Sequence, residues 1–139
     1  MTEFISEIKI IPHPQEKVYE VLSDLNNLEN VKDKIPADKV QDFAFTSDSV
    51  SLSVSPVGQL KISIIEREPP KIIQLTADQA PIGLHLWIQL LPHNERETKM
   101  KLTIHADLNP FIKPMVSKPL QEGINKIADV LAAISYNEI

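Results

Sequence analysis

Apolar residues recur at spacings of three and four near the end of the chain. This spacing places one set of aliphatic residues on a single stripe of a helix. The stripe consists of Leu120, Ile124, Ile127, Leu131 and Ile134. The positions between them are mostly polar, so the opposite face is expected to be solvated. The pattern predicts a long amphipathic helix that needs a broad apolar surface to lie on.

The start of this helix is marked by Asn109 and Pro110. An asparagine side chain can cap free backbone amides, and proline suits the first helical position. Pro114 and Pro119 each remove a backbone hydrogen bond. We therefore expect a kinked or two-part helix whose regular half begins near Lys118.

The first part of the chain predicts one strand followed by two short helices. Alternation over residues 2–11 indicates a strand with one buried face. Its expected inward residues are Phe4, Ser6, Ile8 and Ile10. Pro14 can open a helix that runs from Gln15 to Ser23. Asp24 can cap a second short helical turn.

Between Val40 and Leu108 the apolar period becomes two, which predicts six antiparallel strands. Short turns at 47–48, 56–58, 69–70 and 94–96, with a longer loop through 79–82, set apolar residues opposite one another on one face. A slip of one residue would exchange the two faces. The expected pairs are Phe45 with Val50, Phe43 with Leu52, Val54 with Leu60, Leu52 with Ile62, Val50 with Ile64, Ile64 with Leu75, Ile62 with Ala77, Ala77 with Leu84, Leu75 with Leu86, Ile73 with Ile88, Leu90 with Met100, Ile88 with Leu102, Leu86 with Ile104 and Leu84 with Ala106.

These elements predict an α+β fold in which residues 1–139 form a single domain. One strand, two short helices, six strands and a long final helix follow one another in the order β-αα-β6-α. The seven strands are expected to form one curved antiparallel sheet wrapped around the C-terminal helix.

Three segments carry a resemblance to a known superfamily: IKIIPHPQEKVYEVLSDLNNLENV, VGQLKISIIEREPPKII and LQEGINKIADVLAAI. Through them essentially the whole chain resembles the START/Bet v 1-like superfamily (SRPBCC, polyketide cyclase/dehydrase and lipid-transport proteins), and most of all its small single-domain members. The resemblance implies a helix-grip fold with a cavity between helix and sheet. The implied ligand is an apolar small molecule such as a lipid, sterol, quinone or polyketide. The resemblance carries over no catalytic residue.

The expected walls of this cavity come from the sheet and from the final helix. The sheet would contribute Phe43, Phe45, Leu52, Ile62, Leu75, Leu86, Ile88, Met100 and Leu102, together with Ile104. The helix would contribute Phe111, Met115, Leu120 and Ile124, together with Ile127. The alternative is that these side chains meet and fill the space at ordinary interior density.

Composition and charge exclude several other classes of protein. A net charge of −5 argues against nucleic-acid binding, because a phosphate-binding surface should be basic. The N-terminus does not read as a signal peptide. No apolar run approaches the roughly 20 residues that cross a bilayer, so we expect no stable membrane insertion. The absence of cysteine fits a reducing compartment. We expect a cytoplasmic protein without a cofactor.

Glu66 is the one candidate catalytic residue. It falls in phase with the inward face, where a carboxylate in apolar surroundings could act as an acid or base. The favoured alternative places it at the rim of the sheet, close to the turn at Pro69-Pro70. The chain has no G-x-S-x-G, no glycine-rich phosphate loop and no H-E-x-x-H. We therefore expect a binding protein, with a cyclase/dehydrase- or isomerase-type enzyme as the alternative.

Two histidines and a tryptophan are expected together on the outward face of the sheet. The predicted register sets His85 directly opposite His105, with Trp87 beside them. The two imidazoles are candidate ligands for a transition metal, but a third strong ligand is not assured and we expect no metal. Trp87 could instead belong to an apolar patch that binds a partner or forms a homodimer. A protein-interaction module is therefore the third interpretation.

Overall fold

The computed structural model describes residues 1–34, 40–54, 58–79 and 82–138. Within these residues the chain forms one antiparallel sheet, two α-helices and two 3₁₀ helices. The strands are β1 (Thr2–Ile5), β2 (Lys9–Ile11), β3 (Val40–Phe45), β4 (Ser49–Val54), β5 (Gly58–Glu68), β6 (Ile72–Gln79), β7 (Gly83–Pro92) and β8 (Thr98–Asp107). The α-helices are α1 (Gln15–Leu22) and α2 (Lys113–Ala132), and the 3₁₀ helices span Leu25–Lys34 and Tyr136–Glu138.

The sheet order confirms the predicted meander. Strands β3 to β8 follow one another as neighbours, and β1 and β2 both pair with β8 at the far edge. Helix α2 packs against β8, β1 and β2. The predicted α+β class, with a curved antiparallel sheet and a long C-terminal helix, is therefore confirmed. The predicted turn residues 56–57 and part of the 79–82 loop lie outside the described residues.

The first predicted strand is divided in two, so the sheet has eight strands and not seven. Ile5 pairs with Thr103, whereas Lys9 pairs with Met100, so the N-terminal segment carries one extra residue between the two pairs. Such a bulge reverses which side chains face inward. Ile8 and Ile10 are consequently exposed, and the prediction that they point into the core is wrong.

The predicted pairing of strands is largely confirmed. Four pairs between β7 and β8 agree, as do two between β6 and β7, two between β5 and β6, and one between β3 and β4. These pairs are Leu84 with Ala106, Leu86 with Ile104, Ile88 with Leu102, Leu90 with Met100, Leu75 with Leu86, Ile73 with Ile88, Ile64 with Leu75, Ile62 with Ala77 and Phe45 with Val50.

The register between β4 and β5 differs from the prediction by two residues. Leu52 pairs with Leu60 and not with Ile62, and Val54 pairs with Gly58. Gly58 adopts a φ of 106°, a conformation that glycine tolerates without strain, so β5 begins closer to the end of β4 than expected. A shift of two residues leaves each side chain on its predicted face.

Helix α2 is continuous through Pro119, so of the two predicted alternatives, a kinked or a two-part helix, the two-part helix is wrong. The Asn109 side chain accepts hydrogen bonds from the backbone N–H groups of Phe111 and Ile112, so it caps the turn before the helix. The helix itself begins at Lys113 and not at Pro110 as predicted, and its N-cap residue Ile112 makes no side-chain capping bond. Pro119 cannot donate to the carbonyl of Met115, four residues earlier.

Candidate functional site

On the inner face of the sheet, β7 and β8 are each buried toward both ends and half-buried at one position in between. Along β7, Leu86 is half-buried, although Leu84 and Ile88 on the same face are buried. Its partner Ile104 on β8 is also half-buried between two fully buried neighbours. The half-buried residues continue as a band across the sheet, which buried Leu75 interrupts on β6: Ile104, Leu86, Ala77, Ile64, Ile62, Leu52, Phe45 and Phe43. We call this band the open strip.

Helix α2 shows the same pattern on the face that packs toward the sheet. Ile124 and Leu131 are buried in the core, with Ile124 only 1% exposed. Ile127 lies between them at helical spacings of three and four, which places it on the same side. It is nevertheless 43% exposed. Its side chain is therefore accessible although its neighbours on the same face are buried.

Gly123 belongs to this open part of α2. It lies three residues after half-buried Leu120 and four before Ile127, so the three positions are neighbours on one helix face. A Cβ added to Gly123 would meet no atom of the described residues within 4 Å, apart from the chain neighbours and the backbone of its own helix. Glycine in a helix interior costs roughly 1 kcal/mol of stability relative to alanine. Close packing against another element does not explain why this residue is glycine, because no other described element comes within 4 Å of a Cβ placed at this position.

The predicted cavity residues fall into three groups. Half-buried residues of the open strip and α2 are Phe43, Phe45, Leu52, Ile62, Leu86 and Leu120. Fully buried residues of the closed core are Leu75, Ile88, Met100, Leu102 and Ile124. Ile104 is half-buried as well. The remaining three, Phe111, Met115 and Ile127, are 88%, 67% and 43% exposed. Met115 lies half a turn around the helix axis from Ile124, so the prediction that it points toward the sheet is wrong.

Glu66 does not face the space between helix and sheet. A bulge at Ile65 separates the pair Ile64–Leu75 from the pair Glu66–Gln74. The bulge reverses the phase of the strand, so Glu66 is exposed and the inward phase predicted for it is wrong. Arg67 takes the register position opposite buried Ile73 instead. Sequence alternation alone gave no signal for this extra residue.

Arg67 forms a polar contact at the rim that the sequence pattern did not reveal. Its guanidinium donates two hydrogen bonds to the Ser23 carbonyl, at 3.2 and 2.9 Å, and one to Asp48 Oδ1 at 2.6 Å. It thereby connects β5 to the end of α1 and to the β3–β4 turn. The hydroxyl of buried Tyr19 has no hydrogen-bond partner among the described residues. Burial raises the pKa of Tyr19, and the positive charge of Arg67 opposes that rise.

The outward face of β7 and β8 carries the predicted group of aromatic side chains. His85 pairs with His105 as expected, and the Trp87 ring lies 4.7 Å from that of His105 in an edge-on arrangement. His105 Nε2 lies 2.7 Å from Glu3 Oε2, and His85 Nδ1 lies 3.3 Å from Thr76 Oγ1. The described residues contain no group of three or more histidine, cysteine or acidic side chains placed to hold a metal ion. Trp87 itself is half-buried.

No helix among the described residues is both long enough and apolar enough to cross a membrane. No family model and no curated protein matches the chain. Solved structures do match it over nearly its whole length. A START superfamily protein from Mycobacterium smegmatis is 12% identical, with 99% of both chains covered and a TM-score of 0.73.

Two further structures share this architecture. Norcoclaurine synthase from Thalictrum flavum, solved with dopamine and hydroxybenzaldehyde, is 11% identical, covers 99% of this chain and 89% of its own, and has a TM-score of 0.71. A conserved protein from Geobacillus kaustophilus is 15% identical, with 94% and 93% covered and a TM-score of 0.68. At these identities the similarity shows the fold and not the activity. The chain has the helix-grip fold of the START/Bet v 1-like superfamily, as its resemblance predicted.

Proposed function

We propose that the protein binds an apolar small molecule between α2 and the inner face of the sheet. The observation that carries this proposal is the open strip together with the open middle of α2. Leu86 on β7, Ile104 on β8 and Ile127 on α2 are each accessible between buried neighbours on the same face, which is the burial pattern expected around a ligand cavity. A core packed to normal density would bury these central aliphatic side chains as completely as their neighbours.

The chemistry of the open strip indicates the class of ligand. All of its residues are aliphatic or aromatic, and none carries an ionisable group. A ligand with a large polar surface would lose hydrogen bonds to water there without replacing them. The favoured ligand is therefore mostly hydrocarbon, in the range of lipids, sterols, quinones and polyketides.

An enzyme of the cyclase/dehydrase or isomerase type remains the second candidate. It is favoured by the likeness in fold to norcoclaurine synthase, which was solved with two small aromatic molecules. Acid–base catalysis needs an ionisable group within reach of the reacting atoms. The open strip provides none within the part of the chain that the structure describes, and Glu66 is exposed. Binding without catalysis is therefore the stronger proposal.

Native mass spectrometry of the freshly purified protein, beside a solvent extract of the same sample, tests the proposal. We expect an adduct of a few hundred daltons that is lost on denaturation and recovered in the extract. An apo protein would then be titrated with the fluorescent apolar probe N-phenyl-1-naphthylamine. Absence of both an adduct and probe binding would contradict the proposal.

A pair of matched variants locates the binding site. Leu86 and Leu91 lie on the same strand, but Leu86 belongs to the open strip whereas Leu91 is exposed on the other face. Leu86→Trp fills the proposed cavity and should weaken probe binding tenfold or more. Leu91→Trp places the same side chain outside and should leave the affinity unchanged. Equal affinities in the two variants would show that the probe binds elsewhere.

A further inference from the structure

We infer that Gly123 forms a distinct subsite on α2, where a flat or unbranched apolar part of the ligand lies directly against the helix backbone. This inference rests on the proposed binding function and specifies where, and in what shape, the ligand meets the helix. The open space beside Gly123 and the exposure of Ile127 support it independently.

The subsite is a slot that is open on the Gly123 side of the helix face and closed on the other side by the side chain of Ile124. Leu120 and Ile127 stand on either side of Gly123, seven positions apart, which corresponds to about 10 Å along the axis. Their side chains occupy part of that length. The space left between them suits one hydrocarbon chain or the edge of one ring, whereas a branched group would meet both side chains.

The floor of the slot is backbone without a side chain. At Gly123 a ligand atom can approach the helix more closely than at any position that bears a Cβ. The backbone N–H and C=O groups within a helix are already paired with each other, so they offer the ligand no free hydrogen bond. The flanking side chains of Leu120 and Ile127 are aliphatic. The slot therefore selects by shape and apolar contact and takes no polar head group.

Gly123→Leu tests the subsite because a Cβ at this position meets no described atom within 4 Å, so the added side chain extends into the slot. Without ligand, this variant should melt at the same temperature as the natural protein or higher, since leucine favours the helix over glycine. Its affinity for N-phenyl-1-naphthylamine should fall tenfold or more. Lys126→Leu is the matched control, because it adds the same side chain at an exposed position of the same helix. Its affinity should be unchanged.

Selectivity provides a second measurement. Cetyl alcohol is linear, and a branched isomer of the same formula has the same hydrocarbon content but a wider shape. In a competition experiment, the linear alcohol should displace the fluorescent probe from the natural protein at a lower concentration than the branched alcohol. Gly123→Leu should lose this preference. Gly123→Ala adds only one methyl group, so its preference for the linear alcohol should be intermediate between those of the natural protein and of Gly123→Leu. This variant serves as the test if Gly123→Leu does not fold.

The outcomes separate this inference from the proposed function. If Leu86→Trp weakens probe binding while Gly123→Leu binds as tightly as the natural protein, the cavity holds the ligand and the Gly123 subsite is wrong. Equal release by the linear and branched alcohols from the natural protein would also overturn it. If the natural protein binds neither the probe nor any extracted ligand, the proposed function itself fails.

Discussion

The side-chain oxygen of Asn125 lies 3.0 Å from the backbone nitrogen of Glu7 and accepts its hydrogen bond. One helical turn earlier, Gln121 Nε2 donates to the carbonyl oxygen of Ile5, also at 3.0 Å. Both contacts satisfy backbone groups at the outer edge of the sheet. An edge strand with unpaired backbone groups can pair with another chain. Helix α2 therefore covers this edge with two amide side chains while it lies over the sheet.

A third contact continues the series, since Lys9 Nζ donates to Asp129 Oδ1 at 2.5 Å. The helix residues of the three contacts are four positions apart, and the N-terminal residues are two apart. Four helical residues rise about 6 Å and two strand residues about 6.6 Å, so the contacts remain in step. We call the three contacts the polar ladder. The polar ladder holds one side of α2 along its length. Ile127 lies on a different side of the helix, away from the ladder.

Removing the middle contact of the polar ladder should loosen α2. We expect Asn125→Ala to lower the free energy of unfolding by about 1 kcal/mol, the usual net contribution of one hydrogen bond. Urea denaturation measures this change. Lys126→Ala, at the next and exposed position, should change stability by less than about 0.5 kcal/mol. Similar losses in the two variants would mean that the contact with Glu7 contributes nothing.

The two tyrosines should remain protonated until the protein unfolds at alkaline pH. Burial raises the pKa of Tyr136 far above its usual range, and its hydroxyl donates to the Leu131 carbonyl at 2.7 Å. The pKa of Tyr19 is also raised by burial. Groups that bind protons more tightly when folded stabilise the fold fully below their unfolded pKa, about 10, and lose that contribution as pH rises toward the folded value. Stability should therefore fall above about pH 10.

Tyrosinate absorbance at 295 nm, recorded beside circular dichroism during an alkaline titration, checks this prediction. Phenolate formation and loss of structure should coincide. Tyr136→Phe should remove part of the alkaline loss of stability because it deletes the group with the larger shift in pKa. Ionisation of both tyrosines in a protein that is still folded would contradict the prediction.

Leu86 and Leu102 should differ in their contribution to stability although both point inward from neighbouring strands. Leu102 is fully buried, so Leu102→Ala should cost about 2–5 kcal/mol through lost burial and a new cavity. Leu86 is half-buried in the open strip, so Leu86→Ala should cost about 1–2 kcal/mol. Denaturant unfolding of the ligand-free protein makes the comparison. Equal losses would show that the strip is packed like the rest of the core.

Replacing Arg67 should lower the free energy of unfolding, whereas replacing Glu66 should leave it nearly unchanged. Arg67→Ala removes the hydrogen bonds to Ser23 and Asp48 and should cost about 1 kcal/mol, a modest value because the guanidinium is partly exposed. Glu66→Ala should change stability by less than about 0.5 kcal/mol. Thermal unfolding of both variants measures the difference. A larger loss for Glu66→Ala would contradict the assignment of these two residues.

Much of the sheet was predictable because side chains alternate between two faces at every second residue. Pairs such as Leu86 with Ile104 follow once the turns are placed and apolar residues are matched. Even the two-residue shift between β4 and β5 left the inward face of Leu52 intact. The aliphatic spacing around Ile124 likewise determined which side of α2 would be buried, because helical neighbours recur every three to four residues.

The positions of single extra residues within strands, the β-bulges, were decided only by the tertiary structure. The bulges near Ile65 and before Lys9 reverse the alternation, and they turned Glu66 outward and Lys9 toward Asp129. A bulge reflects how a strand fits its neighbours, which a local pattern does not record.

The sequence by itself determined the order of the elements, the faces of most strands and the class of the fold, because these depend on local period and turn residues. Which apolar residues close the core and which remain open was decided by how α2 lies on the sheet. Ile124 and Ile127 are both isoleucines on one helix face, yet one is buried and the other is exposed, a difference that residue type and helical spacing do not predict. The polar ladder sets that placement through contacts between residues more than a hundred positions apart, for which the sequence contains no local signal.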